Sequence, residues 1–170
     1  MEALRLVLAS PTCLMIWFSL VAASLAMVGY DLLYRNHQIM SLMKVVWALT
    51  VLYSGPIGLL IYWFSGRKSI KRDSLWRRSW RSDAHCYSGC GAGEIIGITV
   101  AVGILALSNW PTVIITFSLA YLFGFSLTVG PLVQGGVGFG QAVKDAFWGE
   151  TASITVMEVA AIGADLWIAP

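Results

Sequence analysis

Five long apolar stretches constrain most strongly what this chain can fold into. A transmembrane helix needs ~20 predominantly apolar residues, because each residue rises about 1.5 Å through a hydrocarbon core of about 30 Å. Such stretches cover residues 11–30, 45–64, 92–108, 112–133 and 151–168. Since a bilayer offers no water to backbone polar groups, each stretch predicts a helix. The expected fold is all-α, a polytopic membrane bundle of five helices that forms a single transmembrane domain over residues 1–170.

The composition agrees with a chain embedded in lipid. Hydrophobic residues make up 58% of the sequence and charged residues only 12%, whereas soluble proteins carry roughly 25% charged residues. The eight tryptophans and six tyrosines are sufficient for aromatic belts at both membrane interfaces. The basic residues lie between apolar stretches and form no water-exposed patch, so no nucleic-acid partner is expected. The first stretch lacks a cleavage site and predicts a retained helix.

The distribution of basic residues predicts the orientation. Residues 66–84 form a loop with seven of the 11 lysines and arginines, and short basic loops stay in the cytoplasm. We therefore expect the N-terminus and this loop in the cytoplasm, and residues 31–43 and the C-terminus outside. Such a loop is typical of a topology determinant lying on anionic lipid, with a surface for a soluble partner as the alternative.

A proline interrupts the second apolar stretch. Gly55-Pro56 lies near its middle, where proline removes an intrahelical hydrogen bond and clashes with the preceding turn. We expect a kink in a helix that otherwise spans the membrane.

His85, Cys86, Cys90 and Glu94 form the main cluster of chemically active residues. In a helix, Cys86, Cys90 and Glu94 share one face. Thiolate and imidazole are preferred ligands of copper(I) and zinc, and a carboxylate deeper in the membrane could receive the ion or relay a proton. The sequence therefore predicts a metal site for copper or zinc at these four residues.

Two other interpretations of the cysteines stay open. A dithiol could be oxidised, although cysteines four apart in a regular helix are poorly placed for bridging and the cytoplasm keeps thiols reduced. Alternatively, the cysteines are only small residues in a tight helix crossing. Gly89, Gly93 and Gly97 repeat every four residues, a pattern that lets another span or a second subunit approach closely.

Carboxylates inside the apolar stretches mark a second polar feature. A charge there costs several kcal/mol unless it is neutralised, paired or hydrated, so Glu94 and Glu158 are candidate functional residues. A protonated glutamate that only bonds a neighbouring helix is the alternative. Thr155 and Asp165 share a stripe with Glu158, and this stripe must face protein or water. We expect the helices carrying Glu94 and Glu158 to meet.

A further metal hypothesis concerns the segment after the first helix. His37, Met40 and Met43 could collect copper, although methionines at this spacing equally anchor a short apolar face.

Several strings resemble one family of bacterial and archaeal membrane proteins. They are VVWALTVLYSGPIGLLIYW at 45–63, HCYSGCGAGEIIG at 85–97, LAYLFGFSLTVGP at 119–131 and ETASITVMEVAAIG at 150–163. Over residues 44–168 the chain is similar to the domain of unknown function 4396, which has no assigned activity. The resemblance implies a helical fold in the cytoplasmic membrane and adds Glu150 to the residues of interest. Family members often have aspartate where this chain has Glu94.

Together these features predict a membrane protein that binds or transports a soft, copper-like metal ion. A non-catalytic accessory subunit that docks through its glycine face is the first alternative, and a thiol oxidoreductase is the second. Five helices are too few to enclose a wide pore, so transport would require a homo-oligomer or a partner. Nucleotide-binding and hydrolase motifs are missing, so a role other than that of an enzyme is favoured and no catalytic residue is predicted.

Overall fold

The computed structural model describes residues 10–68 and 74–168, with side chains up to residue 164. Every regular element in this part of the chain is helical, which confirms the all-α prediction. The chain divides into two units, residues 1–80 and 81–170.

The first unit begins with the long apolar helix α1, Pro11–Tyr30, which continues as a π-helical turn over Asp31–Arg35. Ser10 caps α1 by accepting a hydrogen bond from the Cys13 amide at 3.3 Å, and Pro11 occupies the first turn, where its missing N–H is not needed. The predicted helix over residues 11–30 is confirmed.

Two short helices follow α1. They are α2, Ser41–Ser54, and α3, Pro56–Ile61, which ends in a π-helical turn over Tyr62–Gly66. Gly55 separates them with φ 55° and ψ −127°, a left-handed conformation that favours glycine. Pro56 then starts α3 with a fixed φ.

Helix α3 folds back along α2 and forms a helical hairpin. A Cβ on Gly58 would lie only 2.7 Å from the Thr50 carbonyl oxygen, and the Trp47 and Tyr62 rings are 5.4 Å apart. Residues near the tip therefore pair with each other, and so do residues near the base. The prediction of one kinked span over residues 45–64 is wrong, because the chain reverses at Gly55.

The hairpin reaches well along α1. A Cβ on Gly55, at its tip, would lie 3.1 Å from Val21 and 3.4 Å from Trp17, whereas its base lies at Asp31. Ten to fourteen residues of helix separate these levels, or about 15–21 Å, which is half or more of a hydrocarbon core of ~30 Å. Both ends of the hairpin lie at the same end of α1, so placing residues 31–43 and Arg67 on opposite sides of a membrane is wrong.

The second unit contains long helices. Helix α4 is Leu75–Ile98, extended by a π-helical segment over Thr99–Ile104, and its first turns belong to the first unit. Helix α5 is Asn109–Gln134 and helix α6 is Phe139–Ile168. Helix α4 begins inside the predicted basic loop, so the second half of that loop is helical.

The helices α4 and α5 pack along the predicted glycine face. The facing pairs are Gly89 with Gly124, Gly93 with Ala120, and Gly97 with Thr116. A Cβ on Gly89 or Gly93 would lie 2.4 Å from the facing Cα, so the two backbones are in direct contact. The expected close approach is confirmed, and the partner is another helix of the same chain.

Three helices in the described part of the chain are long and apolar enough to cross a membrane: Pro11–Arg35, Leu75–Ile104 and Asn109–Gln134. The structure thus supports a polytopic membrane fold. Five separate crossings are not established, because α2 and α3 are short and α6 does not reach the same apolar length within the described residues.

Candidate functional site

Cys86 and Cys90 form a buried pair of free thiols on α4. Their side chains are 3% and 1% exposed, and the two Sγ atoms lie 3.8 Å apart, within S–H···S distance. The spacing of four residues places both sulfurs on one helix face. The hydroxyl of Ser153, on α6, donates to Cys86 Sγ at 3.7 Å.

Apolar groups from all three helices enclose this dithiol. Ala120 and Ile154 pack against it with no exposed surface, and Tyr121 and Met157 close its periphery. Gly124 makes room for the sulfur, since a Cβ there would lie 3.0 Å from Cys90 Sγ. The thiols therefore lie in an apolar, water-poor setting.

One ring nitrogen of His85 is bonded to the neighbouring helix α5. Its Nδ1 lies 3.0 Å from the Leu127 carbonyl oxygen on α5, and because a carbonyl can only accept, Nδ1 carries the proton. Within residues 10–68 and 74–164, no three His, Cys, Asp or Glu side chains are grouped so that they could hold a metal ion. Of the four predicted ligands, the structure thus pairs Cys86 with Cys90 and leaves His85 and Glu94 outside that pair.

Glu94 and Glu158 form a carboxyl pair one helical turn beyond Cys90. Glu158 is only 2% exposed and interacts with the Glu94 carboxyl group, while its Oε1 has no hydrogen-bond partner among the described residues. Two carboxyl groups can hydrogen-bond each other only when one of them carries a proton, since carboxylates only accept. The expected meeting of the helices that carry these glutamates is confirmed.

The buried polar face of α6 differs from the predicted stripe. Glu150 and Glu158 are buried together with Ile154, whereas Thr155 is exposed and bonds the Thr151 carbonyl oxygen at 2.6 Å. The side chain of Asp165 lies outside the described residues. Helix α6 is therefore rotated so that positions 150, 154 and 158 face α4 and α5.

The first unit contains a polar network that no local sequence pattern indicated. Asp31 is buried and accepts hydrogen bonds from the Tyr62 hydroxyl at 2.6 Å, Arg67 Nε at 3.1 Å and Arg67 Nη2 at 2.7 Å. These hydrogen bonds to Asp31 raise the pKa of Arg67, which keeps the guanidinium charged. The partners are 31 and 36 positions from Asp31, so only the hairpin brings them together.

Asn36 completes this network. Its Nδ2 donates to the Tyr62 oxygen at 3.0 Å and to the Gly66 carbonyl at 3.1 Å, and its Oδ1 accepts from the Lys68 amide at 3.1 Å. A buried asparagine with every group satisfied fixes the loop after α1 against the end of α3. Its position inside the predicted loop of residues 31–43 gave no signal of this role.

The residues of the second metal hypothesis differ in burial. Met43 is buried in the first unit, whereas His37 and Met40 are exposed. His37 belongs to no group of three His, Cys, Asp or Glu side chains in the described part of the chain. The burial of Met43 favours the interpretation as an apolar anchor.

These features define an α-helical integral membrane protein whose second unit surrounds a dithiol and a carboxyl pair. The sequence model of one family, the domain of unknown function DUF4396, matches residues 75–170. The chain belongs to this family, and the match includes Cys86, Cys90, Glu94, Glu150 and Glu158. The hairpin string at 45–63, part of the predicted resemblance, lies outside the matched range. No curated protein and no solved structure matches the chain.

Proposed function

We propose that this membrane protein binds one soft monovalent metal ion, copper(I), between the thiolates of Cys86 and Cys90. The main support for this proposal is the pair of buried sulfurs, which lie 3.8 Å apart on one face of α4. Thiolates are soft ligands that select copper(I), and copper(I) is stable with only two of them. The sulfurs need to separate only slightly to admit the ion between them.

The donor set favours copper(I) over zinc. Structural zinc requires four ligands in a tetrahedron, and a third His, Cys, Asp or Glu ligand does not join this pair in the described part of the chain. A dithiolate with one copper(I) carries one net negative charge, and the Ser153 hydroxyl can stabilise it through its hydrogen bond to Cys86.

The carboxyl pair gives the released protons a place to go. Metal binding to thiols displaces their protons, and Glu94 lies one turn, about 6 Å of helix rise, beyond Cys90. In this proposal the Glu94–Glu158 pair holds one proton and takes up one of the two displaced thiol protons, while the other leaves the protein. The net charge of the apolar core is then unchanged when copper(I) enters, and the reverse steps accompany its release. Movement of the ion across the membrane would require a homo-oligomer or a partner chain.

Copper stoichiometry tests the proposal. Purified protein in detergent would be exposed to copper(I) without oxygen, desalted, and analysed for copper per chain. We expect one copper in the wild type and in the matched control Cys13→Ser, and none in the Cys86→Ser, Cys90→Ser double variant. Copper in all three proteins, or in none, contradicts the proposal.

The same sulfur pair supports thiol oxidation as a second candidate. Formation of a Cys86–Cys90 disulfide would release two protons and pass two electrons to a membrane quinone, which becomes the quinol. Mass spectrometry after alkylation, with and without added quinone, distinguishes the candidates. Two alkylated thiols under both conditions would exclude oxidation and leave metal binding.

We propose a cytoplasmic membrane location in which the basic loop lies in the cytoplasm, as predicted from the sequence, but the N-terminus lies outside. Arg35 and Lys44 lie at the base of the hairpin, at the same end of α1 as Arg67, and the positive-inside rule places this end in the cytoplasm. The N-terminal end of α1 is then outside. A docking role as an accessory subunit would use a surface other than the glycine face, which α5 already covers.

A further inference from the structure

The base of the hairpin holds a second feature of chemical interest, in the first unit and independent of the dithiol. A cavity of about 500 Å³ opens there, and its lining residues are Asp31, Arg35, Asn36, Gln38, Arg67 and Lys68. Three of the six are cationic and one is anionic. Cavities of this size accommodate small ligands.

The single carboxylate that lines the cavity already accepts hydrogen bonds from other residues of the chain. Asp31 accepts two hydrogen bonds from Arg67 and one from Tyr62, and its side chain is only 5% exposed. The side chain of Asn36 also has its hydrogen-bond partners, which are Tyr62, the Gly66 carbonyl and the Lys68 amide. The polar groups that keep bonding capacity towards the cavity are therefore mainly cationic.

The cations are held in complementary ways. Arg67 uses two of its five N–H donors on Asp31, which fixes the guanidinium while leaving 35% of its side chain exposed. Arg35 lies 5.9 Å from the centre of the Tyr30 ring, and Lys68 is exposed at the rim. A fixed arginine beside two adaptable cations matches a phosphate group, which takes forked hydrogen bonds from arginine and point charge from lysine.

We infer that this cavity binds a phosphate-bearing anion at the membrane surface, such as the headgroup of an anionic phospholipid or free phosphate. Its place at the base of the hairpin, beside a helix end that meets the lipid interface, is where basic pockets of membrane proteins recognise phospholipid headgroups. Binding there would hold the end of α1 and the end of α3 together on one side of the bilayer.

The test compares the full chain with two charge-matched double variants. Arg35→Gln with Lys68→Gln removes two charges from the cavity and leaves the Asp31–Arg67 pair intact. Arg78→Gln with Lys144→Gln removes two charges from α4 and α6, at residues that do not line the cavity. Each protein is placed in nanodiscs of phosphatidylcholine with a minor share of phosphatidylglycerol, and phosphatidylglycerol retention is measured by native mass spectrometry.

We expect the cavity variant to bind phosphatidylglycerol roughly thirtyfold more weakly, from about 1 kcal/mol per basic side chain and tenfold per 1.4 kcal/mol, and the control variant to behave like the wild type. Added inorganic phosphate distinguishes a lipid headgroup from free phosphate as the ligand. Retention that millimolar phosphate does not reduce assigns the site to lipid, and displacement by phosphate assigns it to the free anion. Equal retention by both variants, or no preference for phosphatidylglycerol over phosphatidylcholine, overturns the inference.

Discussion

Arg67 donates two hydrogen bonds to Asp31, although the residues are 36 positions apart and the whole α2–α3 hairpin lies between them. This ion pair ties the two ends of the hairpin to the same end of α1. In a bilayer, we expect such a hairpin to enter and leave on one side, as a re-entrant element.

Labelling can test whether both ends of the hairpin lie on the same side of the membrane. In a background with all three native cysteines changed to serine, Gln38→Cys and Lys68→Cys should react with a membrane-impermeant maleimide from the same side of the membrane. Ser10→Cys, at the N-terminal end of α1, serves as the reference for the opposite side. Reaction of the Gln38→Cys and Lys68→Cys variants from opposite sides would restore a single crossing over residues 45–64.

The ion pair itself should contribute measurably to stability. Asp31→Asn leaves Arg67 partly buried without its carboxylate, and because Arg67 is 35% exposed we expect a loss of about 1–3 kcal/mol, between the values for surface and buried pairs. Thermal unfolding in detergent measures the loss. Asp145→Asn, at an exposed carboxylate on α6, should change stability by less than about 0.5 kcal/mol, and an equal effect of both substitutions would contradict the stabilising role of the pair.

The glycine face should tolerate no added methyl group. Gly93→Ala would place a Cβ 2.4 Å from the Ala120 backbone, so α4 and α5 must separate, at a cost of about 1–3 kcal/mol. Gly103→Ala, in the same helix but with nothing within 4 Å, should be neutral or slightly stabilising, since alanine favours helices. Unfolding temperatures of the two variants provide the comparison, and matching values would show that the backbones do not touch.

The carboxyl pair should hold a proton that infrared spectroscopy can detect. Glu158→Gln removes one carboxyl group from the pair with Glu94, while the amide keeps the shape and can still donate. We expect the band of a protonated carboxyl to disappear with little change in stability. Asp145→Asn, an exposed carboxylate, should leave the band unchanged. Persistence of the band in the Glu158→Gln protein would show that the shared proton belongs elsewhere.

Local sequence signals were enough for the helices but not for their arrangement. A run of ~20 apolar residues is enough to predict a helix. The helices over 11–30 and 112–133 could therefore be predicted directly from the sequence. The stretch 45–64 has the same apolar length, yet it forms two half-length helices, because Gly55 takes a left-handed backbone and Gly58 then packs on Thr50. Apolar length alone does not distinguish one crossing from a reversal.

The same limit applies to the candidate site. The spacing of Cys86, Cys90 and Glu94 predicted their shared face, because helix geometry is local. The Leu127 carbonyl that holds His85 and the Ser153 hydroxyl on Cys86 come from other helices, so only the packing of α4, α5 and α6 shows them. That packing reduces the predicted four-residue metal site to a two-sulfur pair.

X-ray absorption spectroscopy at the copper edge identifies the atoms that bind the ion. For the copper(I)-loaded wild-type protein, the proposed function predicts two sulfur neighbours and no imidazole nitrogen, since no third His, Cys, Asp or Glu side chain groups with the two thiols in the described part of the chain. The His85→Ala variant should give the same spectrum. A shell of imidazole nitrogen, or copper bound equally well after Cys86→Ser and Cys90→Ser, would contradict the account.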